Sequence, residues 1–310
     1  MRHPKRCRKV RVSIHSNPAL IFVLPALAVI VLFNIYPAIK YLGGAFLNWR
    51  PPQALGNAPF VGLRWFREIL GYYRLPQLIR NSVILGLWDI FLVPAPMLLA
   101  LATHHCGISW LRRGLDVFAL LPVFIPSVIV VAITQRILST EGLLNQLLAL
   151  FGVVGENWLL RGELFYAYFS LSNLWSSLGF PYLLYKACLT ASNMELHAAA
   201  QLDGASLFTR IARLDVPLCR GVLLTNLTIQ IAGILNTNTE RLLLFSNTVN
   251  SSYSTTLDLY AYDLTFRSAM MPSYSKAIAF SLMTTLVNII LLFIARRIIA
   301  RREDIYAQAS

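Results

Sequence analysis

The sequence predicts an all-α polytopic membrane protein with about six transmembrane helices and a polar helical insert between the fourth and fifth. Three observations carry that expectation. The 310-residue chain is 56% hydrophobic and only 13% charged, where a soluble domain carries about 25% charged residues. Its apolar residues come in runs long enough to cross a bilayer, which takes about 20 residues. Its formal charge of +13 sits beside those runs, which suits membrane topology. No nucleic-acid motif accompanies the charge, so nucleic acid is not an expected partner.

The elements follow in order. A basic tail, 1–18, precedes an apolar run that begins at Ala19 and passes Tyr36 without a small-residue cleavage site. It reads as an uncleaved first helix rather than a signal peptide. Spans are expected at 19–42, 81–103, 115–138, 164–190, 218–239 and 277–300. Pro25, Pro37, Pro94, Pro96, Pro122, Pro126 and Pro181 interrupt several of them. A bundle tolerates such breaks where neighbouring helices satisfy the freed carbonyls. Residues 19–300 then form one transmembrane domain, followed by a second tail, 301–310.

Orientation follows from the basic residues. The first tail, Arg112, Arg113, Arg210, Arg213, Arg220, Arg296, Arg297, Arg301 and Arg302 outweigh those of the opposite side. That side has the long loops 43–80, 139–163 and 240–276, with Arg50, Arg64, Arg67, Arg74, Arg80, Arg161, Arg241, Arg267 and Lys276. Both termini are therefore expected in the cytoplasm. Cys7, Cys106, Cys188 and Cys219 fall on or near that reducing side, match no zinc or redox spacing, and read as free thiols. In the first external loop, Trp49 and Trp65 suit a structured cap and interface anchoring equally.

The insert at 192–217 is the most informative segment. Ser192 followed by Glu195 forms a capping box, so a helix starts there. Ala198, Ala199 and Ala200 give that helix a small-residue face that another surface can approach closely. Asp203-Gly204 permits a sharp turn, and Ala205 follows it. Leu207, Phe208 and Ile211 recur at helical spacing, and Pro217 suits the first turn of the next span. Physical reasoning alone makes this a docking element.

The insert resembles the EAA loop of ABC importer permeases. Ala199 and Ala200 match its two alanines, Asp203-Gly204-Ala205 its turn, and Leu214, Val216 and Pro217 its stop. Glu195 also matches many sugar permeases, whereas Ala198 stands where the family has the triplet's carboxylate. Asn17-Pro18, Tyr36-Pro37, Val61-Gly62-Leu63 with Phe66, Gly233 to Asn236, Leu257-Asp258 with Tyr260 and Tyr262, and Tyr274-Ser275 with Ala277 are similar to LplB-type permeases of the MalF/UgpA-like sugar group.

The resemblance implies a type I permease fold in a bacterial inner membrane. It further implies a second, homologous permease, two ATPase subunits on the cytoplasmic loops, and a soluble solute-binding protein outside. Coupling falls to Glu195, Ala199, Ala200, Asp203, Gly204, Ala205 and Pro217. The cargo is expected to be a carbohydrate, an oligosaccharide, moved inward by alternating access. The external arginines suit an acidic sugar or a binding-protein contact. The chain is expected to be non-catalytic and to bind no cofactor, since it lacks a phosphate-binding loop and ATP with Mg would sit on the partner.

Polar residues inside spans either line a path or hold helices together. Asn173 and Trp175 on the fourth span, Asn226, Gln230, Gly233, Asn236 and Thr237 on the fifth, and Asn288 on the sixth are the path candidates. Asn226, Gln230, Gly233 and Thr237 would share one helical stripe. Asp89 would snorkel or pair, with Arg136 as the partner at hand. Its other role, proton coupling, belongs to the alternative reading as an ion-gradient-driven secondary carrier. The histidines show no metal-ligand pattern, and no catalytic constellation stands out.

Overall fold

The computed structural model describes residues 19–192, 194–267 and 272–309. The basic tail 1–18, with Cys7 and Asn17-Pro18, lies outside the described residues, as does Asn193 of the insert. Among the described residues the β structure is confined to one isolated antiparallel bridge, Leu47 with Phe60.

The helices run in order α1 (Ala19–Ile30), α2 (Tyr36–Leu42), α3 (Arg64–Leu70), α4 (Leu75–Leu92), α5 (Ala95–His105), α6 (Ser109–Leu120), α7 (Ser127–Leu138) and α8 (Leu143–Ala149). There follow α9 (Phe165–Ser177), α10 (Gly179–Thr190), α11 (Met194–Leu202), α12 (Leu207–Arg210), α13 (Val216–Ala232), α14 (Thr239–Phe245), α15 (Ser251–Ser254), α16 (Leu257–Tyr262) and α17 (Tyr274–Ala309). The last helix continues through 301–309, where a separate tail was expected.

Among the described residues four segments are long and apolar enough to cross a membrane: Val23–Phe46, Leu75–His105, Ser127–Ala149 and Tyr274–Ile298. The expected fourth and fifth spans are helical but of another kind. α9 and α10 meet at Leu178, and Ser170, Ser172, Asn173, Ser176 and Ser177 dilute their apolar character. α13 has 17 residues and ends at Gly233. The expected third span is cut where its prolines fall: α6 stops at Leu120, a 3₁₀ turn covers Leu121–Phe124, and α7 resumes after Pro126.

Three apolar clusters hold the bundle. One joins α5, α10 and α13 through Ala100, Leu101, Tyr182, Tyr185, Leu189 and Cys219. A second binds the first long loop to α4 and α17 through Trp65, Ile69, Leu78 and Phe280. The third packs Phe165 and Phe169 of α9 against Leu242 and Phe245 of α14. Where α4 passes the end of α13, a Cβ on Gly86 would stand 2.1 Å from the Ile234 carbonyl oxygen. Only glycine permits that crossing.

Two expectations about the loops change. Trp65 is buried and its indole N–H donates to the Leu47 carbonyl at 2.8 Å. It therefore serves the loop's own core and not a lipid interface. The segment 240–276 is not an open loop: α14, α15 and α16 fold back into the bundle, because Leu242, Phe245, Leu257 and Leu259 are apolar and become buried. Buried Asn81 secures it, donating to the Ser252 and Thr255 carbonyls at 3.1 and 2.8 Å and accepting from the Tyr166 hydroxyl at 2.7 Å.

Candidate functional site

The insert folds as a helix, a glycine turn and a second helix. α11 ends in a paired cap: Ala205 N–H donates to Ala200 O at 2.9 Å and Gly204 N–H to Gln201 O at 3.1 Å. Gly204 has φ +77, a left-handed conformation that glycine adopts without steric cost. Ser206 then caps α12, its hydroxyl oxygen accepting from Thr209 N–H at 3.2 Å.

α12 does not stop before the next span. It runs through a π-helical turn, Ile211–Asp215, straight into α13. Val216 N–H reaches back to the Ile211 carbonyl. Pro217 stands just after that turn, at the start of α13; inside a continuous helix its missing N–H leaves a carbonyl of the preceding turn without its usual donor. The expected pair of short helices is thus one short helix and an extension of the helix that carries the fifth span.

The exposed face is also broader than the alanines suggest. Glu195, Ala198, Ala199 and Asp203 are exposed, and so are two large apolar side chains, Leu202 at 89% and Phe208 at 84%. The helical spacing of Leu207, Phe208 and Ile211 implied a short amphipathic helix. Only Ile211 packs on the core, while Phe208 points away from it. Burying one such side chain is worth about 1.5–3 kcal/mol, so Leu202 and Phe208 belong with the coupling candidates.

The polar candidates inside the spans divide. Asn173, Asn226 and Gln230 meet at one cavity of about 90 Å³, together with Asp89 and Ser177 and the apolar walls of Leu92, Val93, Pro96, Leu174 and Pro181. Asn173 donates to Asp89 Oδ1 at 3.2 Å, and its own Oδ1 lies 3.4 Å from Arg241 Nη1. Arg241, 6% exposed, also donates to the Ser172 carbonyl at 3.1 Å. Asn226 reaches the Tyr185 hydroxyl only at 3.5 Å, which leaves its amide available to a ligand.

The other candidates serve elsewhere. Asn288 donates to Asn236 Oδ1 at 2.8 Å, tying α17 to the end of the fifth span. Thr237 lies beyond the helix end, so the expected stripe is broken at Gly233. Its N–H donates to Asp258 Oδ2 at 2.8 Å, and its hydroxyl meets that of Thr256 at 2.9 Å. Burial raises the Asp258 carboxyl above the usual carboxylate range, against the lowering effect of that backbone donor. Trp175 lies over Phe118, with ring centroids 5.9 Å apart.

Two sequence assignments are corrected. Arg136 is not the partner of Asp89; it stands 4.0 Å from Glu141. Arg241 does not belong to an exposed loop, because α14 carries it into the bundle. An arginine directly before the apolar run Leu242-Leu243-Leu244-Phe245 was the available signal.

Known proteins match most of the chain in sequence and in fold. The polygalacturonan/rhamnogalacturonan transport system permease protein YteP of Bacillus subtilis (strain 168) is 26% identical over 306 residues, covering 97% of this chain and 94% of YteP. Protein LplB of the same organism is 27% identical over 288 residues, covering 92% of this chain and 88% of LplB. Among solved structures, a bacterial alginate ABC transporter in complex with an alginate pentasaccharide-bound periplasmic protein contains a chain that matches with a TM-score of 0.80 at 25% identity. That match covers 91% of this chain and 94% of the other. A second structure, of a bacterial ABC transporter involved in the import of the acidic polysaccharide alginate, matches with a TM-score of 0.78 at 25% identity, over 91% and 95% of the two chains. Residues 93–303 match the family described as binding-protein-dependent transport system inner membrane component, and the chain belongs to that family.

Proposed function

We propose that this chain is one of two permease subunits of an ABC importer that carries an oligosaccharide into the cytoplasm, with an acidic oligosaccharide the first substrate to test. One observation carries the reading. An exposed docking element with a small-residue and apolar face is continuous, through α12 and the π turn, with the helix whose Asn226 and Gln230 line the polar cavity. Amide and carboxylate groups suit a ligand rich in hydroxyls. The similarity to a polygalacturonan/rhamnogalacturonan permease and to the alginate transporters supports the substrate class.

In this scheme a second, homologous permease completes the path. Two ATPase subunits bind ATP with Mg and grip the two coupling loops. A soluble binding protein delivers the sugar to the external loops. Both termini lie in the cytoplasm, and ATP-driven closure of the ATPases tilts the spans to alternate access. Glu195, exposed on the first turn of α11, supplies the carboxylate absent at Ala198.

The test is purification from membranes followed by reconstitution. An ATPase should co-purify, and uptake of acidic oligosaccharide should require ATP, stop with vanadate and ignore ionophores. Uptake that collapses with an ionophore and ignores vanadate would establish a gradient-driven carrier instead. Glu195→Ala should leave the complex assembled while cutting transport per ATP several-fold, consistent with loss of a charged hydrogen bond worth roughly 1.5–3 kcal/mol. Unchanged transport would remove Glu195 from the coupling role.

A further inference from the structure

A buried cluster lies under the coupling loop, and its members come from three separate stretches of chain. Asp215, the last residue of the π turn, is 0% exposed. Its Oδ2 is 2.8 Å from His105 Nε2, at the end of α5. Its Oδ1 is 3.2 Å from His197 Nε2, on α11. His197 is itself 8% exposed, and the same nitrogen lies 3.0 Å from the Ser192 hydroxyl.

The two carboxylate oxygens are not equivalent. Oδ2 makes a hydrogen bond to His105, whereas Oδ1 is buried without one. The approach of His197 to Oδ1 is close enough for an ion pair but lacks hydrogen-bond geometry. One imidazole nitrogen thus stands between the Asp215 carboxylate and the Ser192 hydroxyl, and its hydrogen bond is with Ser192. A buried carboxylate oxygen without a donor is unfavourable, so a small movement of α11 that turned His197 toward Asp215 would be rewarded. A π turn re-aims the side chains beside it and recurs at functional positions; here it places the carboxylate under α11.

The cluster also reaches into the bundle. Thr103, two residues before His105 on α5, donates to the Ala100 carbonyl and meets the Tyr182 hydroxyl at 2.9 Å. Tyr182 and Lys186 of α10 both hydrogen-bond Asp116 of α6. A displacement of α11 therefore has a polar connection to α5, α10 and α6 besides its covalent one.

We propose that His197 and Asp215 form a two-position latch that transmits movement of the coupling loop to the second and fifth spans. In one position His197 is held by Ser192; in the other it closes on Asp215 Oδ1, and Asp215 stays anchored to His105 in both. His197 and Asp215 are positioning residues, since neither touches cargo or nucleotide. The inference rests on the proposed function, because it assigns the latch to coupling between ATP hydrolysis and transport.

The test uses the complete complex in proteoliposomes and reads cargo imported per ATP hydrolysed. Asp215→Ala and His197→Ala should each lower that ratio about tenfold, within the usual range of allosteric coupling. The double variant should fall no further than either single one, as groups acting as a unit do. His197→Gln, which restores an N–H donor, should recover most of the ratio. A purely structural role would lower the amount of complex and leave the ratio unchanged. If Asp215→Ala fails to assemble, the His197→Ala and His197→Gln pair decides on the same readout. An unchanged ratio in assembled His197→Ala, or no recovery with glutamine, overturns the latch. Absence of ATP-dependent uptake in the wild-type complex would instead overturn the proposed function.

Discussion

The 192–217 insert, proposed here as the coupling loop, and the polar cavity are built in opposite ways. The loop takes its shape from backbone features close together in sequence: a helix, a glycine at φ +77, a second cap. Its outward side chains are mostly small or apolar, and little in the bundle depends on them. The cavity takes its shape from side chains far apart in sequence, with Asp89, Asn173, Asn226, Gln230 and nearby Arg241 supplied by four helices. Substitution in the loop should therefore change what the protein binds, and substitution at the cavity's edge should change whether it folds.

The largest expected effect tests the second half of that contrast. Arg241→Ala removes the bonds to Ser172 and Asn173 and leaves Asp89 desolvated without its nearest positive charge. Breaking such a buried network costs about 3–5 kcal/mol. The variant should accumulate poorly in membranes, and adding Asp89→Asn should recover part of the yield; thermal unfolding of detergent-extracted protein measures both. Equal stability of Arg241→Ala and wild type would show that the network does not hold α14 in place.

An intermediate effect tests the first half. Phe208 is 84% exposed, so Phe208→Ala should leave thermal unfolding unchanged. As a buried aromatic anchor in a complex it would be worth about 2 kcal/mol, and retention of the ATPase during purification should drop accordingly. Loss of bundle stability without loss of ATPase would reverse the assignment.

The smallest effect sharpens the contrast inside the cavity. Asn226 makes only a 3.5 Å contact with Tyr185. Asn226→Ala should leave the fold intact and weaken cargo handling by about one neutral hydrogen bond, roughly 1 kcal/mol. Concentration-dependent uptake in reconstituted vesicles would register it as a several-fold rise in the half-saturating concentration.

What was legible in the sequence follows the same division. The 192–217 insert could be read because its determinants are local: the three alanines, Asp203-Gly204 and Pro217 fall within one short stretch. Its exposed aromatic could not, because helical spacing says which residues share a face but not which face the bundle covers. Asn173, Asn226 and Gln230 were legible as polar residues out of place in apolar runs, yet hydropathy gave no reason to separate them from Asn236, Thr237 and Asn288. That separation depends on where α13 ends, and Gly233 reads equally as part of a stripe and as a stop. Arg241 was placed in a loop because a basic residue outside a span normally marks the aqueous side; its burial depends on tertiary packing with α9. The association of His105 with Asp215 had no local signal, since the two lie 110 residues apart.

The continuous helical run through 207–232 has a mechanical consequence. It is seated at two buried points one turn apart, Asp215 beside His105 and Cys219 among α5 and α10. Between Phe208 and Cys219 lie the π turn and Pro217, the features at which helices bend. A thrust on the phenyl ring would therefore be taken up first at a joint around 211–217, and the share that reaches Gln230 depends on how firmly Asp215 pins that joint.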